Sequence, residues 1–288
     1  MRNHDPALEV KSMKGKRIRF AGYASFGLLM VAVFLYARFP ADAVRDYLIA
    51  HLEEAYPGVS LSLESVKPAL PLGLAAKAVD IRSRENPNRA LKADEIVIRP
   101  SLISLMKGKT SLLFRGTGYG GRTHGALNYP RAFSTAGSMK AEINLEDIDT
   151  RSLSALHEIL ARQITGRLNA SLTFGGRPEK IIEGSGRMRF TILNGTYPLR
   201  EAVAGIDKIA FTAIEGDVQL SDRNLKINRL NLAGEKLNYS LKGNIALGGE
   251  KLGESSLDLT GSVEIRGANK KIPFSVNGTL DRPDAKFI

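Results

Sequence analysis

The chain has 288 residues and a formal net charge of +11; 43% of its residues are hydrophobic, 25% are charged and none is cysteine. This composition indicates one large or two small folded domains and excludes a disordered chain. The absence of cysteine excludes disulfides, thiolate metal sites and cysteine nucleophiles. Basic residues are spread along the chain without interleaved aromatic clusters, so the charge fits an anionic membrane surface better than nucleic acid.

The first predicted element is a membrane-spanning helix at residues 20–37, FAGYASFGLLMVAVFLYA, which contains no charged residue. A helix of this length rises about 27 Å, close to the ~30 Å hydrocarbon core of a bilayer. Residues 1–19 carry six Lys or Arg and two acidic residues. This basic tail is therefore predicted to stay in the cytoplasm, while the rest of the chain is exported.

Two alternatives to an uncleaved anchor are a cleaved signal peptide and a buried helix of a soluble protein. A signal peptide has an apolar region of about 7–15 residues and ends in a small-x-small cleavage site. Here the apolar run is longer and ends Leu35-Tyr36-Ala37, which lacks that pattern. We therefore predict a single-pass anchor.

Residues 38–58 are predicted to form a juxtamembrane amphipathic helix. Apolar residues between Val44 and Ala55 recur at helical spacing, and Pro57-Gly58 ends the run. Such a helix either lies on the membrane or caps the sheet that follows it, and we favour the cap.

From Val59 onward the hydrophobic period changes from 3.6 to two, which is typical of strands with one apolar and one polar face. The clearest stretch is Gly216–Leu247, where breaks at 221–224 and 234–236 suit tight turns. Short turns join antiparallel strands, so this stretch is predicted to be a meander. Residues 59–288 are predicted to hold about a dozen strands and a few short helices, at 101–107, 152–164 and 198–206. The predicted fold class is mainly β.

No catalytic, cofactor or metal site is predicted. Gly108-Lys109-Thr110 lacks the earlier glycine that a phosphate-binding loop needs, and Gly184-Ser185-Gly186 opens a strand with no histidine nearby. The four histidines lie in different settings, and no two share a metal-binding spacing: His4, His51, His124 and His157. The chain is therefore predicted not to be an enzyme.

Several segments from Arg17 onward carry a family resemblance. A membrane helix ending ARFP, an amphipathic helix, VSLSLESVKPALPLGL and DEIVIRPSLISLMKGK resemble the start of AsmA-type envelope proteins. The series GRLNASLTFGG, GSGRMRFTILNGTYPL, the stretch Gly216–Leu247 and FSVNGTLDRPD is similar to the long form of the type II secretion protein N family (GspN).

This resemblance implies a single-pass inner-membrane protein of a Gram-negative bacterium. It would comprise a cytoplasmic tail (1–19), a membrane helix (20–37), a juxtamembrane helix (38–58) and a periplasmic β-rich domain (59–288). The sheet of that domain would be elongated and curved, as a groove or half-barrel. The GspN family is named as an accessory part of the type II secretion apparatus, and it supplies no catalytic motif.

Two functions follow as alternatives. In the first, the domain is a scaffold or assembly factor that binds other type II secretion components, with helices closing its apolar face. In the second, suggested by the AsmA-like resemblance, phospholipid acyl chains lie on that face, because large exposed apolar patches mark binding sites. These residues are otherwise ordinary core. The residues predicted for the lipid- or partner-facing surface are Leu230, Leu232, Leu237, Tyr239, Leu241, Leu257, Leu259, Val263 and Ile265.

Overall fold

The computed structural model describes most of the chain from residue 22 to residue 288. The predicted cytoplasmic tail, 1–19, lies outside the described residues, as do residues 20 and 21 of the predicted membrane helix. Within 22–288 the residues that are not described are 24, 28, 29, 32, 35, 71, 86–89, 133–136, 155, 158–161, 204–205, 236, 249–251 and 267–269.

The described residues between 22 and 37 are helical, and their large apolar side chains, such as Phe26 and Phe34, are exposed. Among the residues that the structure describes, no helix is both long enough and apolar enough to cross a membrane. Helix α1 follows at Ala41–Ala55 and ends where the Tyr56 N–H donates to the Leu52 carbonyl.

The rest of the structure is dominated by a single antiparallel sheet of fifteen strands, which confirms the mainly β prediction. The strands are β1 (Val59–Ser62), β2 (Ser65–Pro68), β3 (Leu74–Ser83), β4 (Ala90–Pro100), β5 (Thr110–Gly118), β6 (Gly121–Tyr129), β7 (Met139–Asp149), β8 (Arg167–Gly176), β9 (Ser185–Val203), β10 (Ile206–Ser221), β11 (Asn224–Gly234), β12 (Leu237–Ala246), β13 (Ser256–Ile265), β14 (Lys270–Thr279) and β15 (Pro283–Phe287).

The sheet is an open meander. From β3 to β14 each strand pairs with the strand before it and the strand after it, β15 pairs with β14, and the order does not close on itself. Strands β1 and β2 both pair with β3 in one continuous register, as the pairs Ser62–Asp80 and Ser65–Lys77 show, so together they form one interrupted first row. The sheet thus has fourteen rows, and the distance across them along the hydrogen-bonding direction is about 60 Å.

The predicted meander at Gly216–Leu247 is present as β10, β11 and β12. Asp222 and Arg223 form a two-residue turn in which both have positive φ, the geometry that matches the twist of two joined strands. A register shift between Ile227 and Leu230 is a β-bulge. In the sequence, the apolar–polar alternation shifts by one residue between Ile227 and Leu230. The extra residue of the bulge accounts for this shift.

The helices of the sheet domain are short. Helix α2 spans Leu102–Met106, begins where Ser101 Oγ accepts a hydrogen bond from the Ser104 N–H, and is followed by Gly108 with φ +72°. Short 3-10 turns occupy Thr150–Ser152, Pro178–Glu183 and Leu252–Glu254.

Two helix predictions differ from the structure. The helix predicted at 198–206 is wrong, because β9 continues to Val203 and pairs with β10, for example Pro198 with Lys208. An isolated helix of nine residues is marginal, whereas this long ladder bonds the same backbone groups. Of the helix predicted at 152–164, the described helical residues are Ser154, Leu156 and His157, and residues 162–165 are not helical.

Helix α1 packs against β1 and β2. Glu53 fixes this contact: one carboxylate oxygen accepts a hydrogen bond from the Leu61 N–H at 3.3 Å, and the other accepts one from Arg84 Nη2 at 2.8 Å. Helix α1 therefore caps the first row of the sheet.

Candidate functional site

One face of the sheet is apolar across every row. Direct cross-strand partners lie on the same face, so the register identifies the residues that form a line across the sheet. One such line has one residue in each of the fourteen rows of strands and no polar side chain. Because it runs across the strands and is apolar throughout, we call it the apolar row. Its members are Pro68, Leu74, Ile98, Phe114, Gly125, Ile143, Leu172, Met188, Val218, Ile227, Gly243, Leu259, Val276 and Ala285.

The opposite face is polar. The next line of cross-strand partners is displaced from the apolar row by one pair of partners along each strand. It runs from β5 to β11 and contains no apolar side chain, and we call it the polar row. Its members are Arg115, His124, Asn144, Ser171, Arg189, Asp217 and Arg229. The same strands therefore separate an apolar surface from a charged one, as period-two alternation requires.

Side chains of the apolar face are buried mainly by their neighbours on the same face. Ile245, Leu257 and Leu259 form one cluster and are only 7–9% exposed. The residues packed around that cluster come from β11, β12 and β14, together with Leu247 just after β12. A second cluster joins Ile192 of β9 and Phe211 of β10 to Ile164, which precedes β8.

Five phenylalanine rings on the sheet lie over glycines. Each phenylalanine is the direct cross-strand partner of a glycine, and a Cβ added to that glycine would contact the ring. At Phe174, a Cβ added to the nearby Gly184 would contact the ring as well. At Gly125 such a Cβ would lie 2.7 Å from Phe114 Cζ, well inside van der Waals contact. The pairs are Phe114–Gly125, Phe174–Gly186, Phe190–Gly216, Phe211–Gly195 and Phe274–Gly261. Rings packed over neighbouring backbone keep the apolar surface low and smooth.

The structure brings all nine predicted surface residues onto one face. Leu230 pairs with Leu241, and Leu237 pairs with Ile265. The remaining residues continue the same lines: Leu232 pairs with Tyr239, Tyr239 pairs with Val263, and Leu257 and Leu259 lie two strand positions apart on β13.

These nine residues differ in exposure. Leu257 and Leu259 are buried in the cluster with Ile245, as ordinary core residues are, whereas Ile265 is 38% exposed. Sequence reasoning did not include the equivalent residues of β4 to β9, such as Phe114, Leu172 and Met188. The alternation in those strands carried the same signal.

Some charges of the polar face pair with one another. Asp217 accepts a hydrogen bond from Arg187 Nε at 2.9 Å and lies 3.6 Å from Arg189 Nε. The Arg187 hydrogen bond, opposed by partial burial and aided by Asn228, lowers the pKa of Asp217 to about 2. A shallow depression of about 570 Å³ on this face is lined mostly by polar residues, together with Leu145, Ala170 and Phe190. We interpret it as the space between long side chains of the polar row.

The described histidines do not converge on one site. His51 stacks on Tyr47 in α1, His124 Nδ1 lies 3.8 Å from Glu146, and His157 Nε2 is 3.0 Å from the Thr150 carbonyl. Within the part of the chain that the structure describes, no group of three or more His, Asp or Glu side chains could hold a metal ion.

The fold and the apolar face define a class of protein: an open antiparallel meander that presents one continuous apolar surface. No family model, no curated protein and no solved structure matches this chain. Its function is therefore argued from the geometry of the sheet and from the resemblance seen in its sequence.

Proposed function

We propose that this chain is a membrane-anchored, non-enzymatic protein that holds phospholipid acyl chains against the apolar face of its sheet. The observation that carries the proposal is the apolar row, fourteen positions without a polar side chain from Pro68 to Ala285. A sheet normally buries such a face against a second layer of structure. Here the described helical segments contact the sheet locally: α1 packs on β1 and β2, α2 packs on β5, and Leu156 packs on the cluster of Ile192 and Phe211.

The burial pattern supports a curved sheet with the apolar face on the inside. Leu257 and Leu259 are almost fully buried although their cluster is built from neighbouring strands of the same sheet. Side chains on the inner face of a curved sheet converge and cover one another, whereas side chains on the outer face spread apart. Residues of the polar row such as Arg189 and Arg229 are correspondingly exposed. A groove of this kind would give acyl chains a path of about 60 Å across the strands.

The anchor is proposed from the sequence at 20–37 and from the exposed apolar side chains of its described helical residues. The basic tail would lie in the cytoplasm and residues 59–288 in the periplasm. Since α1 follows this segment and packs on the first row, the groove would begin beside the inner membrane. Sequencing the mature N-terminus tests this arrangement, because a start between residues 20 and 40 would show a cleaved signal instead of an anchor.

On the strength of the resemblance to GspN, we place this lipid-binding domain in the type II secretion apparatus. The alternative role, a scaffold with its apolar face closed by helices, has less support because the helical segments that the structure describes are short and pack mainly on a few strands each. Crosslinking in the native envelope tests the secretion role. Recovery of no secretion component would count against it.

Lipid binding is tested with residues 39–288, purified and extracted for lipid mass spectrometry, followed by uptake of a fluorescent fatty acid. Met188 is 38% exposed on the apolar face, so Met188→Glu places a charge where acyl chains would lie. Ser171→Glu is the matched control, because Ser171 is exposed on the polar face opposite Arg189. We expect Met188→Glu to lower uptake at least several-fold and Ser171→Glu to leave it unchanged. Absence of phospholipid in the wild-type extract, with no fatty-acid uptake, would contradict the proposal.

A further inference from the structure

Two neighbouring connections at one end of the sheet expose large apolar side chains. The β2–β3 and β4–β5 connections are adjacent because Leu74 at the start of β3 pairs with Ile98 near the end of β4. Gly73 packs closely on this end of β4, since an added Cβ would lie 2.6 Å from the Ile98 carbonyl oxygen and 2.7 Å from Arg99 Cγ. The exposed side chains, which we call the end patch, are Leu70 (64% exposed), Leu72 (52%), Leu102 (51%), Ile103 (68%) and Met106 (89%).

The end patch is distinct from the apolar row. Its residues lie in the connections and in α2, beyond the ends of the strands. Single exposed apolar residues are ordinary on a protein surface, but five in two adjacent connections concentrate exposed apolar area at one end of the sheet, which favours contact with a membrane or a protein. Ser101 and Gly108 hold α2 in place at its two ends, so its exposed residues are presented on a formed helix.

The two sequence segments that carry the end patch are basic. Residues 65–76 and 96–112 contain no Asp or Glu. They contain four cations, and a fifth follows at Arg131, whose carbonyl accepts a hydrogen bond from Thr110 Oγ1. The four are Lys67, Arg99, Lys107 and Lys109. Apolar side chains flanked by lysine and arginine in the sequence match a bilayer with anionic headgroups, which attract basic residues near the surface.

The position of the end patch agrees with the direction of the chain. Helix α1 contacts both β1 and β2, and only Tyr56–Gly58 separates its end from the start of β1, so it runs antiparallel to the first row. Its rise of about 22 Å brings Ala41 to the level of β2. The apolar helical residues before Ala41 therefore join the domain on the side where the β2–β3 connection lies.

We propose that the end patch docks on an anionic bilayer surface, with the apolar side chains of α2 inserted among the lipids and the lysines at the headgroups. This contact is separate from acyl-chain binding on the sheet, and it stands if that proposed function fails. It would give the domain a fixed orientation on the membrane, with the first rows of the sheet held at the bilayer.

The absence of cysteine allows the full chain to be labelled at one introduced site. Ile103→Cys in α2 and Thr260→Cys on the polar face of β13 each carry an environment-sensitive fluorophore, in chains reconstituted into vesicles that contain brominated lipids. With 30% anionic lipid, we expect quenching at Ile103→Cys to exceed that at Thr260→Cys at least threefold. Adding Lys107→Glu and Lys109→Glu, or using vesicles without anionic lipid, should lower this quenching at least twofold while the chain stays inserted.

Two results would overturn the docking proposal. Equal quenching at the two labelled positions would mean that the patch does not contact lipid. An unquenched Ile103→Cys label that crosslinks to a protein in the native envelope would assign the patch to a protein partner instead.

Discussion

The two faces of the sheet are made by the same strands but differ in the interactions that stabilise their side chains. On the polar face, groups of opposite charge are neighbours: Asp217 bonds Arg187, and Glu215 lies 3.4 Å from Arg229. The charged groups that are not paired are in contact with solvent. On the apolar face, the apolar row from Pro68 to Ala285 has no charged groups that could pair. Its side chains pack instead on one another and on glycines.

This difference is the basis of the proposed function. A charged surface is stable in water without a ligand, whereas an apolar surface in water is stabilised by anything that covers it. Substitutions at neighbouring positions of one strand should therefore have very different effects, because successive residues point to opposite faces.

The largest contrast is expected on β13. Leu259→Asp places a charge without a partner in the cluster of buried side chains, which should lower the free energy of unfolding by about 3–5 kcal/mol. Thr260→Asp, the next residue, lies exposed on the polar face and should change it by less than about 0.5 kcal/mol. Urea unfolding of both variants measures the contrast. Similar losses at the two positions would mean that the faces are not energetically distinct.

A glycine pair gives a second contrast. Gly216→Val would drive a side chain into the Phe190 ring, and overpacking of this kind costs about 1–3 kcal/mol. Gly175→Val is the control, because an added Cβ there meets Ser185 at ordinary distances, 3.6 Å from its Oγ and 4.0 Å from its carbonyl oxygen. The double variant Gly216→Val with Phe190→Ala should recover part of the loss. No recovery would show that the ring is not the obstacle.

Acid should weaken the polar face first. The pKa of Asp217 is lowered from 3.8 to about 2, so its pairing with Arg187 stabilises the fold fully above pH 3.8. This stabilisation is lost as the pH falls through about 2. We expect the difference in stability between wild type and Asp217→Asn to be constant above about pH 4.5, to shrink as the pH falls towards 2 and to vanish below it. Unfolding measured at several pH values tests this, and a difference that stays constant down to pH 2 would contradict it.

The smallest effect is expected at an exposed ion pair. Arg229 and Glu215 are both well exposed, so Arg229→Ala should cost less than about 1 kcal/mol and less again in 1 M salt. Urea unfolding at low and high salt measures both values. A loss comparable to that of Leu259→Asp would remove the distinction between the two faces.

Features set by short-range signals were predictable from the sequence. Strands β10 to β12, their turns and the shift after Ile227 follow from alternation and turn residues within about 30 positions. The helix predicted at 198–206 failed because its spacing was compatible with either structure, and the partner that selects a strand, β10, is formed by a different segment. The alternation of Leu74 and Ala76 in β3 does not continue at Ala78, which has φ +49°, and Val79 takes the buried position instead.

The candidate site was predictable in part. The nine residues chosen on β11 to β13 share one face, as their alternation implied. The length of the apolar row was not predictable, because alternation identifies the faces of each strand but not its register with the next. The Phe–Gly pairs were hidden for the same reason, since Phe190 and Gly216 become partners only once β9 and β10 are aligned.

The most direct test of the central claim is to identify what touches the apolar face in the cell envelope. A photo-crosslinking amino acid at Met188 samples the apolar row, and one at Ser171 samples the polar row of the adjacent strand. After illumination in intact cells, mass spectrometry of the purified full chain should find phospholipid adducts at position 188 and none at position 171. Adducts of equal yield at both positions, or only protein adducts at position 188, would contradict acyl-chain binding.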